Sequence, residues 1–236
     1  MNTEAYKRTT ELINKYISFI EKTKTENIHK NISIENFFYL KSVLSNINNI
    51  MTLLATLAMA KKLAKVFGFS KEQEEQILSD IETKKANSNG YDIQIDIPTK
   101  ILVEVKCNIP VNEEKLGQAQ VNAILEDARK LRMESFRRRK IKIDTGDYIK
   151  IIGIVNTKPE SFDKILHQIT HEVKCKDTTN PERQERLKVK KHIRTINSLS
   201  DLTNIKDLSC VYIVDISIEE LEEELQYIKD YKGIIC

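Results

Sequence analysis

The sequence predicts an α/β fold: a mixed central sheet flanked by helices, with a helical region at the N-terminus. Residues 1–67 contain neither proline nor glycine, and their apolar residues recur at helical spacing. Segments 91–97 and 100–107 alternate between apolar and polar residues, which predicts the two strands of an antiparallel hairpin. Segments 148–156 and 210–217 are nearly continuously apolar, as in strands buried on both faces. Helices on both faces of a mixed sheet would bury such strands.

The composition is that of a globular protein. Apolar residues make up 40% and charged residues 31% of the 236 residues. The most apolar run, residues 50–60, is too short to span a bilayer, which takes about 20 residues. The four cysteines are widely spaced and include no CxxC pair, so neither a disulfide framework nor a zinc ribbon is indicated. We therefore expect a soluble cytoplasmic protein, with no membrane association.

The first 67 residues are predicted to form two or three helices, either as a separate region or in one continuous domain with an α/β core over residues 68–236. Residues 51–67 are at first apolar on nearly all sides, which favours a helix packed in the core over a dimerisation surface. Gly68 ends this helix. Ser70 and Gln73 then form a capping-box pattern that begins the next helix, over residues 70–85.

Glu74 has two interpretations on that helix. Ile77, Leu78 and Ile81 define its buried stripe, and at 100° per residue Glu74 falls near the centre of the stripe. A carboxylate that points inward requires a partner or a metal ion. Alternatively, Glu74 is an acidic residue of the first turn that interacts favourably with the helix dipole.

The predicted hairpin carries two acidic residues and a lysine that could meet at one place. Because the side chains of a strand alternate, Glu104 and Lys106 share a face, whereas Val103 and Val105 point to the other. Asp92 lies on the neighbouring strand and reaches Glu104 if the register of the hairpin pairs them. Two carboxylates and an ammonium group are suited to metal-dependent phosphodiester hydrolysis. The alternative is an ordinary hairpin with exposed cross-strand ion pairs.

The remaining elements follow in order along the chain. A long helix is predicted from about residue 113 to 139, then a buried strand, a helix at 161–173, a second buried strand and a closing helix over 218–231. Residues 176–207 are charged and rich in turn-forming residues, which predicts an exposed loop or short irregular helices.

Two stretches are strongly basic on a chain whose net charge is only +3. Residues 129–142 hold eight Lys or Arg, and residues 174–194 hold another eight. Such segregation indicates a positive face that would bind a polyanion, or else two solvated helix surfaces.

At the hairpin the chain resembles the PD-(D/E)xK nuclease superfamily, which includes many type II restriction endonucleases. In the family pattern, an Asp near the end of one strand is followed on the next strand by Glu or Asp, any residue, and Lys. Asp92, Glu104 and Lys106 match this pattern, whereas Tyr91 stands where the family has a proline. The resemblance covers about residues 70–131 and leaves the N-terminal helices unexplained.

The resemblance implies a restriction-endonuclease-like fold and a Mg²⁺ site. Asp92 and Glu104 would bind the metal ion, often with the carbonyl of Val105 as a further ligand. Lys106 would orient or activate the attacking water and stabilise charge. Family members frequently add an inward-facing Glu from the preceding helix to the catalytic residues, and Glu74 is the candidate here.

We expect a Mg²⁺-dependent endonuclease of the type II restriction kind that cuts double-stranded DNA. We also expect a homodimer, because a palindromic duplex has two-fold symmetry. Related nucleases often place a polar residue near the scissile phosphate where Gln118 and Gln120 stand, at the start of the helix predicted over 113–139. The basic end of the same helix and residues 174–194 would contact phosphates, and base edges as well. The candidate DNA-binding residues are Gln118, Arg129, Arg132, Arg137, Arg138 and Arg139. The alternatives are a structure-selective nuclease of the same fold and a non-catalytic nucleic-acid-binding protein.

Other candidate sites have weaker support. His167, His171 and Cys175 recur every four residues on one predicted helix, a spacing that could bring three ligands to Zn²⁺, but no fourth ligand is evident and surface histidines are favoured. The sequence has no Gly-rich phosphate loop and no GxSxG motif, so neither NTP hydrolysis nor serine acyl transfer is supported.

Overall fold

The computed structural model describes residues 4–23, 33–83, 90–108, 110, 115–132, 144–171, 181–196 and 198–230. The helices are α1 (Glu4–Thr23), α2 (Ile34–Phe67), α3 (Lys71–Thr83), α4 (Gln118–Arg132), α5 (Pro159–Thr170), α6 (Pro181–Lys190) and α7 (Ile218–Asp230), with a 3₁₀ helix at Leu199–Asn204. The strands are β1 (Ile93–Ile95), β2 (Ile101–Lys106), β3 (Ile149–Asn156), β4 (Ile193–Thr195) and β5 (Val211–Ser217).

These strands form one mixed sheet in the order β1-β2-β3-β5-β4. β1 and β2 pair antiparallel, with Ile93 opposite Val103, which confirms the predicted hairpin. β2, β3, β5 and β4 run parallel, and the connection from β2 to β3 contains α4. The predicted α/β class, with a mixed sheet flanked by helices, is confirmed.

Apolar side chains of the sheet alternate between two cores, one on each face. In β2, Val103 and Val105 join the core that contains α2, α3 and α7, which we call the α2 core. Leu102 joins the core that contains α4, α5 and α6, which we call the α4 core. The central strands are buried on both faces, so each face needs a helical layer.

The helix α2 supplies much of the first core. Its second half is buried against the sheet, and Met59 and Leu63 are completely covered. At Gly153 of β3, an added Cβ would lie 3.5 Å from Met59 Sδ and 3.0 Å from Ile216 Cδ1, so glycine permits close packing of the helix on the strands. The predicted deep packing of residues 51–67 is confirmed, and the boundary between residues 67 and 68 falls inside one shared core.

By length and composition, α2 is long and apolar enough to cross a membrane. Of its most apolar window, 56% is buried within the protein, and the core helix of a soluble protein meets the same criteria.

Short-range signals fix the ends of α2 and α3. Ser33 Oγ accepts a hydrogen bond from the backbone N of Asn36 (3.2 Å) at the start of α2, and Gly68 adopts a left-handed conformation with φ of 65° at its end. Ser70 N donates to Gln73 Oε1 (2.8 Å), and Gln73 N donates to Ser70 Oγ (3.3 Å). The predicted capping box at the start of α3 is confirmed.

Several predicted segments differ from the structure. The helix predicted over 113–139 is described as α4 from Gln118 to Arg132, and residues 133–143 lie outside the described residues. The first hairpin strand covers only Ile93–Ile95 of the predicted segment 91–97. Residues 176–207, predicted as a loop or irregular helices, contain the regular helix α6 and the strand β4. β4 was not predicted because it has only three residues and because its pairing with β5 depends on tertiary structure.

Candidate active site

Asp92 lies beside Glu104 at the open end of the β1–β2 hairpin. The last paired residues are Ile93 and Val103, so the next positions along the two strands are Asp92 and Glu104. Asp92 accepts a hydrogen bond through Oδ2 from the backbone N of Val105, 2.6 Å away. This bond joins Asp92 to the strand that carries Glu104, and the charge of Asp92 acts on the Glu104 carboxyl.

The carbonyl of Val105 faces the same edge of β2 as Asp92. The N–H and C=O of one strand residue point to the same side, and the N–H of Val105 points to Asp92. The described ladder between β1 and β2 involves residues 101–103 of β2 and stops before Val105. A backbone oxygen therefore points to the region next to the two carboxylates.

Glu104 is buried beneath α4, with 8% of its surface exposed. This burial, followed by the charges of Asp92 and Asp127, raises the pKa of Glu104 to about 8, although Lys106 and Lys130 act in the opposite direction. On β2 this face is covered by a helix, so an exposed cross-strand ion pair does not describe Glu104, whereas Gln94 of β1 on the same face is exposed.

Tyr91 covers the same corner of the sheet. It is buried in the α4 core with Leu102. Burial, and then the charge of Glu104, raise the pKa of its phenol to about 12, so the side chain stays protonated. Asp96, the other acid of this hairpin strand, instead accepts a hydrogen bond from the hydroxyl of Tyr148.

Lys106 forms an ion pair with Asp127, a residue of α4 that the sequence interpretation missed. Asp127 is 4% exposed, and its Oδ1 lies 2.7 Å from Lys130 Nζ. Burial disfavours the charge of Lys130, but the hydrogen bond and charge of Asp127, followed by the charge of Glu104, raise the pKa of this lysine. One buried carboxylate thus holds two ammonium groups close to Glu104.

A signal for Asp127 does exist in the sequence. At 100° per residue it lies roughly 60° from Ile124, at the edge of the apolar stripe of α4. Lys130 follows three positions later, at the spacing of a helical ion pair. The sequence does not give the rotation of α4 that turns this edge toward β2, because packing against the sheet determines it.

The structure does not bring Glu74 to these side chains. Glu74 lies half-buried in the first turn of α3. Ile81 of the same helix packs in the α2 core, on the face of the sheet opposite Glu104. The largest charge effects on Glu104 come from Asp92, Asp127 and the two lysines. The placement agrees with the alternative interpretation, an acidic residue of the first helical turn.

The predicted DNA-binding residues of α4 have intramolecular partners where they are described. Arg129 binds Glu126 through two nitrogens, at 2.7 and 2.9 Å, and Arg132 Nε donates to the carbonyl of Ser209 at 2.9 Å. Gln118 is exposed and donates to Asn122 Oδ1 at 3.0 Å. The other three predicted contacts lie outside the described residues: Arg137, Arg138 and Arg139.

The histidine candidate does not form a metal site in the described part of the chain. The rings of His167 and His171 stack with centroids 4.4 Å apart, and Cys175 lies outside the described residues. In the described ranges no group of three or more His, Cys, Asp or Glu side chains could hold a metal ion. A metal ion at Asp92 and Glu104 would therefore need oxygen ligands from the backbone and from water.

Among the described residues, the corner formed by the hairpin and α4 thus brings together three acidic groups and two ammonium groups. The acids are Asp92, Glu104 and Asp127, and the cations are Lys106 and Lys130. Comparison of the chain with protein-family models, with curated proteins and with solved structures finds no match. The chemistry of the site is therefore inferred from the geometry of its own residues.

Proposed function

We propose that the protein is a metal-dependent nuclease that hydrolyses phosphodiester bonds of double-stranded DNA, of the PD-(D/E)xK type and, more narrowly, of the type II restriction kind. The proposal is carried by one observation. Asp92, Glu104 and Lys106 lie together at the end of the β1–β2 hairpin, where their charges interact.

The two carboxylates fit a divalent cation such as Mg²⁺. Glu104 is buried beside Asp92, and burial first, followed by the charges of Asp92 and Asp127, raises its pKa to about 8. A cation bound by both would remove this repulsion. Mg²⁺ prefers oxygen ligands and keeps several waters, so Asp92, Glu104 and the carbonyl of Val105 would be a sufficient set of protein ligands.

The side chains of the site have separable roles in this proposal. A bound metal ion supplies Lewis-acid chemistry, which lowers the pKa of a bound water and stabilises charge on the phosphate. Lys106 supplies a positive charge that orients the water or stabilises the transition state. Glu104 must lose its proton to act as a metal ligand, so alkaline pH favours the form of the protein that can bind the metal ion. Helix α4 covers Glu104, and the lower dielectric of a covered site strengthens the electrostatic interactions of the metal ion and Lys106.

DNA binding in this proposal depends on the basic stretches and on a second copy of the chain. Arg129 and Arg132 would have to exchange their intramolecular partners for phosphate, whereas Gln118 is exposed at the start of α4. A homodimer would match the two strands of a palindromic duplex. We place this activity in the cytoplasm.

The second candidate is a non-catalytic nucleic-acid-binding protein, and one observation favours it. Lys106 is already paired with the buried carboxylate of Asp127, as in a site whose charges only stabilise the fold. A buried pair of this kind is weak evidence for function by itself.

A cleavage assay on supercoiled plasmid distinguishes the two candidates. With Mg²⁺ or Mn²⁺ we expect the wild type to cut, and Glu104→Gln and Lys106→Ala to lose most of the activity. Asp147→Asn is the matched control, because Asp147 is an exposed carboxylate that pairs with Lys100. A wild type that shifts DNA but cuts it with neither ion overturns the nuclease proposal and supports the second candidate. Discrete fragments support the restriction kind, whereas a preference for branched DNA indicates a structure-selective nuclease.

A further inference from the structure

The carboxylate of Asp127 is shared by two lysines that come from different elements. Lys106 reaches it from the end of β2, and Lys130 reaches it from one turn further along α4, at 2.7 Å. The side chain of Asp127 is 5% exposed, whereas those of Lys106 and Lys130 are 23% and 38% exposed. The anion of this group is therefore inside, and its two cations reach toward solvent.

The direction of α4 places Lys130 on the side of Glu104. The helix returns from the end of β2 toward the start of β3, so it runs opposite to the strands. Asp127 meets Lys106, and the next helical turn brings Lys130 back along β2 toward Glu104. The electrostatic interaction between Lys130 and Glu104 agrees with this placement.

Pairing with Asp127 holds the two ammonium groups in place and leaves some of their N–H donors for other acceptors. Each ammonium has three N–H donors. For both lysines, Asp127 is the ion-pair partner in the described part of the chain, so each keeps donors for a further acceptor. Two adjacent ammonium groups with unused donors suit a phosphate group, which offers several acceptor oxygens and a negative charge.

The charge of the whole corner favours the same ligand. With Glu104 ionised, three carboxylates face two ammonium groups among the described residues, and a divalent cation would change the sum of these charges from -1 to +1. One phosphodiester would restore neutrality. A plain helical i,i+3 pair between Asp127 and Lys130 would explain their contact, but it would not explain why Lys106 of another element converges on the same buried carboxylate.

We propose that Asp127 is a positioning residue that holds the ammonium groups of Lys106 and Lys130 side by side, and that Lys130 binds a phosphate group of the substrate. The choice of a nucleic-acid phosphate rests on the proposed function. Lys130 lies outside the Asp and Glu-x-Lys pattern, so it adds a phosphate-binding residue to the site.

Binding of a short DNA duplex in the presence of Ca²⁺, which also takes oxygen ligands, tests the role of Lys130 through an equilibrium and not through a cleavage rate. We expect Lys130→Ala to weaken binding and to lower the slope of log K against log salt by about 0.9, the effect of one phosphate contact. Lys71→Ala is the matched control, because Lys71 pairs with Glu75 on α3, on the other side of the sheet. An unchanged slope for Lys130→Ala, or a wild type without salt-dependent binding, overturns the proposal.

Kinetics of the Asp127 variants test the positioning role. We expect Asp127→Asn to bind duplex at least as tightly as the wild type, because an anion is lost, but to show a kcat about tenfold lower. Asp127→Glu should recover part of kcat. A kcat that follows only the folded fraction, measured by thermal unfolding, contradicts the positioning role. A wild type that binds duplex but never cuts overturns the nuclease proposal, and the salt slope of Lys130→Ala then decides phosphate binding independently.

Discussion

The backbone N–H of Val105 donates to the Asp92 carboxylate at 2.6 Å, so the acid that precedes β1 is held against the strand that follows the turn. Asp92 therefore has a structural role in addition to its proposed metal-binding role. The two roles can be separated, because an amide keeps a hydrogen-bond acceptor but loses the charge.

For Asp92 we predict different effects of two substitutions. Asp92→Ala leaves the Val105 N–H without its acceptor, and this should lower the free energy of unfolding by about 1–3 kcal/mol. Asp92→Asn should remain close to the wild type in stability but lose metal-dependent cleavage. Urea unfolding and the plasmid assay measure the two effects. Equal stability of both variants would show that the hydrogen bond contributes nothing measurable.

The pKa of Glu104 predicts a pH dependence of stability in the absence of metal. Its pKa is about 8 in the folded protein against an ordinary value of 4.5, so the folded state binds this proton more tightly than the unfolded chain. The resulting stabilisation is complete below pH 4.5 and is lost as the pH rises to 8, by an amount on the order of a few kcal/mol. Urea unfolding in EDTA should show this decline in the wild type. Glu104→Gln should lack it, and an identical decline in both would assign the effect to other groups.

Divalent cations should stabilise the protein more strongly at high pH. Binding requires the ionised form of Glu104, so below pH 8 a proton competes with the metal ion. We expect Mg²⁺ or Ca²⁺ to raise the melting temperature of the wild type more at pH 8.5 than at pH 6.5, in line with linkage. Glu104→Gln should respond weakly at both values. A shift in the melting temperature that does not change with pH would contradict ligation by Glu104.

The lysines that share Asp127 should be coupled in stability. Lys106→Met or Lys130→Met alone leaves one cation for the buried carboxylate, whereas the double variant leaves it unpaired. We therefore expect the double variant to lose about 1–3 kcal/mol more than the sum of the single variants. A double-mutant cycle by urea unfolding measures this difference. Additive losses would mean that the two ion pairs are independent.

The sequence predicts the residues of β2 in this site better than those of the helices. Period-two alternation correctly assigns Glu104 and Lys106 to one face. Helical periodicity also indicates that Glu74 lies near the centre of a buried stripe, but it does not tell which face of the sheet its helix covers. Asp127 and Lys130 were missed for the same reason, because the rotation of α4 over β2 arises from tertiary packing. β4 depends likewise on a partner strand distant in sequence.

The burial of α2 has a consequence for the synthesis of the chain. The helix precedes all five strands in sequence, yet its buried residues pack against β2, β3 and β5. During translation its apolar surface stays incompletely covered until residues 211–217 have left the ribosome. The nascent protein therefore exposes a long apolar helix for most of its elongation, the kind of surface that chaperones bind and that aggregates when they are scarce.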